Sequence, residues 1–473
     1  MTTADASTDE AAAPVGLRAA LGPVTALLIG TFLLYAGYGL QATLVPLRAD
    51  LEGFGRFAIG LIGSAYYVGF VLGCLFVPHL ILRAGHIRAF ATLMACVSAG
   101  VLAFPIILGS PQWILLRVAI GVCISGLLVI VESWLNEKAT NESRGTVMST
   151  YVVITYGAIV LGQMGVTAMP LTGFALFSFC SIILSLATVP VALTRASQPA
   201  PVPVVGFRPK KLFAVAPAAF AGAFTSGVMT GSVFSLGAIF ALDVGFTTDE
   251  AALFVSAIMV GGALGQYPFG RLSDFFDRRL VLLGIAAGTV AMALLTVAMS
   301  LGPKSGLLIA GGLYGFVMLP TYSLAAAHAF DWTKHEDMVE TSAGLILMFG
   351  VGSVLGPIVA SAIMGMTGPS GLFLTHAVAA ALLAGFLGLR LFSRRRPSEA
   401  MRSDFDIFST APVGGALTPD PVTVDDANME APANYTPPDD AEADVDELPL
   451  AASDDALPEP VSEDHVEASE ETR

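Results

Sequence analysis

Ten residues, Gly270-Arg271-Leu272-Ser273-Asp274-Phe275-Phe276-Asp277-Arg278-Arg279, set small and charged side chains at close spacing in an otherwise apolar chain. Gly270 can let neighbouring helices approach. Asp274 can face a helix N-terminus, where backbone donors and the dipole favour an anion. Arg271, Arg278 and Arg279 can pair with carboxylates across one surface. Such a cluster can latch two helical units and release them; equally, the arginines can serve only to set topology. Charged residues inside apolar stretches are functional candidates by default. Arg117 suits ligand or proton-relay work, or snorkels to the nearby surface. Glu132 can exchange protons or pair with Arg144 or another loop arginine, and Asp331 with His328 occupies a similar place later in the chain. Hydroxyl, phenol and amide groups recur at helical spacing as Thr31, Tyr35, Tyr38 and Gln41, and as Tyr314, Met318, Thr321 and Tyr322. Each set shares one helix face. Ser226, Thr230 and Ser235, with Cys123 and Ser125, complete the polar groups expected near a shared cavity. The alternative role for each is an interhelical hydrogen bond without a ligand.

The elements that carry these residues are apolar runs of about 20 residues, the length that crosses roughly 30 Å of hydrocarbon. Twelve such runs are expected, at residues 21–45, 57–82, 89–108, 112–134, 146–169, 173–193, 215–242, 250–269, 280–301, 305–327, 341–366 and 371–392. They lack the alternation of barrel strands, so each is expected to be a helix that satisfies its own backbone. The composition agrees: 55% of the 473 residues are hydrophobic and 13% charged, against about 25% charged in a soluble domain. The net charge of −15 belongs to the C-terminal tail, since residues 401–473 contain 20 acidic and 2 basic residues. No basic nucleic-acid surface is present. Residues 1–20 are polar and lack the basic start, apolar core and cleavage site of a signal peptide.

Basic residues divide unequally between the two sets of loops. Arg18, Arg83, Arg88, Lys138, Arg144, Arg195, Arg208, Lys210, Lys211, Arg271, Arg278, Arg279, Lys334, Arg390 and Arg394 to Arg396 fall on one side; Arg48, Arg56, Arg117 and Lys304 fall on the other. The positive-inside rule then puts both termini and the central loop in the cytoplasm. That loop, residues 194–214, opens with the linker-like Gln198-Pro-Ala-Pro-Val-Pro and divides the runs six and six. The expected divisions are a segment 1–20, a bundle 21–193, the linker, a bundle 215–393 and a disordered acidic tail 394–473. The tail's Arg394 to Arg396 can hold anionic lipid, and Phe405-Asp-Ile407-Phe408 can dock on the cytoplasmic face. Asn434-Tyr-Thr436 fits a glycosylation acceptor but falls on the cytoplasmic side.

The halves match each other in order. Arg83-Ala-Gly85-His-Ile-Arg88 follows the second run as the Gly270–Arg279 segment follows the eighth, with Gly85 aligned to Asp277. Gly162-Gln163 corresponds to Gly356-Pro357, and Glu132-Ser-Trp134 to Asp331-Trp332. Paired six-helix repeats with a site between them characterise alternating-access carriers. The Gly270–Arg279 segment resembles the cytoplasmic loop motif of the major facilitator superfamily; the first-half copy departs from it, with Leu82 and Pro78 in place of the aspartate and first glycine. Arg117-Val-Ala-Ile-Gly121 resembles the superfamily's fourth-helix arginine motif. With Glu132-Ser-Trp-Leu-Asn136, Gly162-Gln163 and Tyr322-Ser-Leu-Ala-Ala-Ala-His328, the chain over residues 21–392 resembles the superfamily's YcaD-like bacterial branch. The resemblance implies an all-α membrane fold of two pseudo-symmetric six-helix bundles, a proton-linked or facilitated carrier, and a cavity lined by the first, fourth, seventh and tenth helices.

The reading that results is a monomeric secondary transporter of the bacterial inner membrane, moving a neutral or amphipathic small molecule, with protons and membrane lipid as partners. The alternative is a non-transporting sensor or scaffold acting through the tail. An intramembrane enzyme fares worst, because no catalytic cluster occurs at depth. No phosphate loop of the G-x-x-x-x-G-K-[ST] type is present. Gly350-Val-Gly352-Ser-Val-Leu-Gly356 has the wrong spacing for a dinucleotide site and suits helix packing. Cys74, Cys96, Cys123 and Cys180 lack paired spacing, so no metal or cofactor is expected.

Overall fold

The structure, a computed structural model, describes residues 21–107, 109–139, 143–194, 209–334 and 337–391, except the side chains of Pro23 and Arg144. The N-terminal segment, most of the linker and the acidic tail with its lipid and docking motifs lie outside the described residues. Among the described residues, twelve helices are long and apolar enough to cross a membrane, and no strand occurs. They are α1 (Thr25–Leu51), α2 (Arg56–Ala84), α3 (His86–Ala103), α4 (Ser110–Lys138), α5 (Arg144–Met164), α6 (Ala175–Ala192), α7 (Pro217–Asp243), α8 (Thr248–Phe275), α9 (Arg278–Met299), α10 (Lys304–Phe330), α11 (Met338–Thr367) and α12 (Gly371–Leu391). A short helix, Pro209–Val215, precedes α7.

Some helices outrun their apolar segments for local reasons. α1 continues past residue 45 because Arg48 finds partners in its last turn: Nε donates to Glu52 at 2.8 Å and Nη1 to the Leu171 carbonyl at 2.6 Å. α10 is interrupted. One helix ends at Met318 and another starts at Pro320, where proline supplies no N–H to the turn before it.

The pattern of packing recurs six helices later. α1 packs on α5 and α6, α2 on α4, and α3 on α6; α7 packs on α11 and α12, α8 on α10, and α9 on α12. Glycines set the closest approaches. A Cβ at Gly69 or Gly121 would strike the Val118 or Tyr66 carbonyl between α2 and α4, and one at Gly261 or Gly315 would strike the Gly312 or Ile258 carbonyl between α8 and α10. The matched pair Gly162 and Gly356 behaves alike, pressed on the Ala36 and Val228 carbonyls. Gly85 and Asp277 also take equivalent places, at the N-caps of α3 and α9.

Between residues 21–193 and 215–391 the contacts run through α2 on α11 and α7, α5 on α8, and α1 on α7. Several polar and small contacts gather toward the end poor in basic residues. There Arg56 pairs with Asp243. Ser256 Oγ donates to Gln163 Oε1 at 3.2 Å, and Gly60 lies against Ser361 and the Pro357 carbonyl. At the basic end Lys211 bonds Asp337 at 2.7 Å and Glu340 at 3.3 Å, within residues 209–391. Hydrogen bonding to Asp337 holds the Lys211 ammonium above its ordinary pKa.

Gly121→Leu should lower the thermal stability of the detergent-solubilised protein by about 1–3 kcal/mol through overpacking. Gly157→Leu, where an added Cβ meets nothing within 4 Å, should leave the transition in place. Equal transitions for the two variants would show that close approach at Gly121 does not limit packing.

Candidate functional site

A cavity of about 70 Å³ lies between the two sets of six helices. Its wall takes Tyr35 and Tyr38 from α1, Tyr66, Tyr67 and Phe70 from α2, Ile124 and Leu128 from α4, and Thr155, Tyr156 and Ile159 from α5. Across from them stand Thr230 and Phe234 of α7, Met259 of α8, Leu319 of α10 and Phe349 of α11. The rings engage each other: Tyr38 lies 5.9 Å from Tyr66 and 6.3 Å from Phe234, and Tyr66 stands edge-on to Tyr67 at 5.1 Å. The Tyr38–Phe234 contact joins the two sets of helices. The wall offers phenol and threonine hydroxyls and no charged side chain. One water needs about 10–15 Å³ of such space, so the cavity holds a few waters and a larger occupant requires these rings to part.

Of the expected cavity residues, Tyr35, Tyr38 and Thr230 lie on this wall, and the remainder do not. Gln41 accepts from Arg117 Nη1 at 3.0 Å, and the Arg117 guanidinium sits 4.9 Å over the Tyr66 ring. Arg117 is therefore buried behind the wall at 6% exposure rather than snorkelling. Thr31 is fully buried one turn from Tyr35. Ser125 donates back to the Val122 carbonyl at 3.1 Å and Thr321 to Met318 at 2.7 Å, so both hydroxyls serve their own helix. Tyr314 bonds His376 Nδ1 of α12 at 2.8 Å. Tyr322 stands edge-on to Phe349 in a separate core cluster. Of α10, Leu319 alone reaches the wall. Tyr66, Tyr67 and Tyr156, which no helical stripe singles out, supply much of the surface; the adjacent Tyr66-Tyr67 pair was the available signal.

Behind Tyr35 a polar chain runs deeper. Tyr35 and Tyr151 hydroxyls lie 2.9 Å apart, and Tyr151 donates to Glu132 Oε1 at 3.3 Å. Glu132 is 4% exposed and makes no ion pair among the described residues. Its bond is to Tyr151; the expected pairing with Arg144 falls on a side chain outside the described residues.

The Gly270–Arg279 segment forms a second cluster. Arg278 Nη1 donates to Asp331 Oδ1 at 2.7 Å and to the Ala327 carbonyl at 2.8 Å, which ties the start of α9 to the end of α10. Asp274 lies 3.8 Å from Arg278, Arg271 covers the Phe275 ring, and Gly270 is buried. Asp277 caps α9, accepting from the Arg279 backbone at 2.9 Å and its side chain at 3.0 Å. Burial alone would raise the Asp277 pKa, but these bonds outweigh it and hold the carboxyl below its usual range. Arg83 and Arg88, at the equivalent place after α2, are exposed and form no ion pair among the described residues.

A sequence model described as Major Facilitator Superfamily matches residues 218–413. An uncharacterized MFS-type transporter, YcaD, of Salmonella heidelberg (strain SL476) is 28% identical over 355 residues, 72% of this chain and 89% of that protein. The chain is thus similar to transporters of the major facilitator superfamily. The twelve apolar helices and this similarity support a multi-pass membrane protein and a secondary transporter rather than an enzyme. Solved structures share the superfamily fold. A bacterial homolog of the human lysosomal transporter Spinster, in an inward-facing and occupied conformation, superposes with a TM-score of 0.63 at 15% identity, covering 80% of this chain and 97% of that one. The D-xylose-proton symporter gives 0.56 at 15% identity, covering 77% and 96%.

Asp331→Asn should destabilise the protein by about 3–5 kcal/mol, because the buried Arg278 would lose its closer charge partner and keep only the more distant Asp274. Replacing both, Arg278→Met with Asp331→Leu, should recover most of the loss in thermal unfolding. Additive losses would show that the pair acts only through its separate contacts. For Asp277, a depressed native pKa means its stabilisation is present above the unfolded value near 4 and fades as pH falls through the native one. Asp277→Ala should therefore reduce stability at neutral pH and flatten the acid limb of the stability profile.

Proposed function

We propose that a single copy of this chain carries a neutral or amphipathic small molecule across the inner membrane by alternating access. The halves 21–193 and 215–393 rock about the aromatic cavity, with both termini on the cytoplasmic side. One observation carries the reading: the cavity wall is drawn from both sets of six helices, while Arg56–Asp243 and Ser256–Gln163 join them toward the opposite end from the basic loops. Under the positive-inside rule that joined end is periplasmic. Opening it separates the Arg56–Asp243 ion pair, the Ser256–Gln163 hydrogen bond and the close contacts of Gly60 with Ser361.

In this reading the Gly270–Arg279 segment is the cytoplasmic latch. Arg278 and Asp331 fix α9 to α10 as one body, and Asp274, the more accessible carboxylate of the two, exchanges partners as the halves move. The proton gradient supplies energy, in keeping with a sequence that has no nucleotide-binding loop. The wall selects by aromatic and hydroxyl contact, which disfavours polyanions.

Screening small molecules for thermal stabilisation at two pH values tests the carrier reading. A ligand at 100 times its Kd should stabilise the wild type by roughly 2.7 kcal/mol. Tyr38→Ala and Phe234→Ala should abolish that stabilisation, while Tyr314→Phe, off the wall, should retain it. Absence of stabilisation across sugars, amino acids, organic acids and lipophilic cations would count against a carrier. With a ligand in hand, Asp274→Asn should insert normally yet transport more slowly in proteoliposomes; wild-type rates would refute the latch.

A further inference from the structure

We propose that Glu132 is a proton-binding site wired to the central cavity through Tyr151 and Tyr35. This deepens the transport reading, on which only the consequence for transport rests. Three helices supply the chain: Glu132 from α4, Tyr151 from α5 and Tyr35 from α1. The steps are 3.3 Å from Tyr151 to Glu132 Oε1 and 2.9 Å between the tyrosine hydroxyls. Both tyrosines are buried, and Tyr35 forms part of the cavity wall. The chain therefore begins at a place a cavity water can reach and ends at a carboxyl group that bulk water does not touch.

The surroundings separate Glu132 from the other buried acid. Asp331 is committed to Arg278 at 2.7 Å. Among the described residues Glu132 has no such cation. The titratable groups that face it are Tyr151 of α5, Tyr35 of α1, Cys74 of α2 and Tyr322 of α10. These are neutral side chains at physiological pH. Glu132 can consequently gain or lose a proton without breaking an ion pair, the step that makes buried pairs costly to separate. An ionised carboxylate in such a place is itself expensive, so its charge state weighs heavily on the arrangement around it.

The proton balance is simple. Starting from the carboxylate, the Tyr151 O–H bond breaks as its proton joins Glu132 Oε1. The Tyr151 oxygen takes the proton of Tyr35, and the Tyr35 oxygen takes one from a hydronium ion in the cavity. One proton moves from cavity to carboxylate and both phenols are restored. Cys74 belongs to the first six helices and Tyr322 to the second, so the change of charge is felt on both sides of the seam. The competing role, a Tyr151–Glu132 bond that only fastens α4 to α5, has no need of Tyr35.

Infrared difference spectra of the full-length protein, recorded between acid and alkaline pH and during transfer to D₂O, test the proposal with the proton itself as probe. The wild type should show a buried carboxylic C=O band that titrates, and Glu132→Gln should remove it. Tyr151→Phe should keep the band but shift it to higher frequency, as a lost hydrogen bond requires. Tyr35→Phe should leave the band in place and slow its deuterium exchange about 100-fold. Should Glu132→Gln fail to fold, the tyrosine variants decide alone. A wild type with no titrating band, a band that survives Glu132→Gln, or unchanged exchange in Tyr35→Phe would overturn the proposal. Proton signals without any ligand stabilisation would instead refute the carrier and leave this site standing.

Discussion

Helices that lie in lipid gain little from burying apolar side chains against one another, because hydrocarbon tails are equally apolar. Close van der Waals contact must hold them together instead, and in this chain that contact is made backbone to backbone. Gly69 and Gly121 lock α2 to α4; Gly261 and Gly315 do the same for α8 and α10. Gly162 and Gly356 repeat the device on α1 with α5 and on α7 with α11. The rest follows from this constraint. Helices fastened in pairs behave as rigid bodies, and the space left between such bodies is where larger side chains meet.

Those larger side chains are rings. Tyr38, Tyr66 and Phe234 fill the middle of the seam with tilted contacts, whereas glycine and serine contacts and the Arg56–Asp243 ion pair join the end near Arg56. The difference has a mechanical meaning. Glycine–serine contacts at the end let the backbones approach, and aromatic rings further in hold them apart. A seam built this way is tight at one end and filled by movable side chains in its interior, a shape suited to pivoting.

The fold was legible in the sequence because each helix must be apolar along its whole length, a signal that neighbours cannot alter. Duplication was legible for the same reason: Gly162 and Gly356 meet the same demand in the same place, and so recur. The cavity was half legible. Spacing put Thr31, Tyr35, Tyr38 and Gln41 on one face of α1, and Tyr35 and Tyr38 do reach the wall, but the stripe is longer than the cavity and its ends serve Arg117 and the core. On α10 the stripe of Tyr314, Thr321 and Tyr322 finds partners off the wall. Tyr314 bonds His376 and Tyr322 stands edge-on to Phe349, partners that spacing along one helix does not reveal. Tyr66 and Tyr67 are adjacent, and adjacent residues carry no periodic signal, so their place on the wall depended on tertiary packing.

The two buried carboxylates show how partner choice divides labour. Asp331 meets a guanidinium, which fixes its charge and makes it a strut between α9 and α10. Glu132 meets a phenol, which bonds either protonation state and fixes neither. The matched segments Glu132-Ser-Trp134 and Asp331-Trp332 thus start from similar chemistry at similar positions and diverge through one neighbour. Arg278 lies in the charged segment after α8, and its counterpart region after α2 has Gly85, Arg83 and Arg88 instead, with both arginines turned to solvent. Among the described residues no arginine of the first half pairs with Glu132, and the acid bonded to a phenol is the one behind the cavity wall.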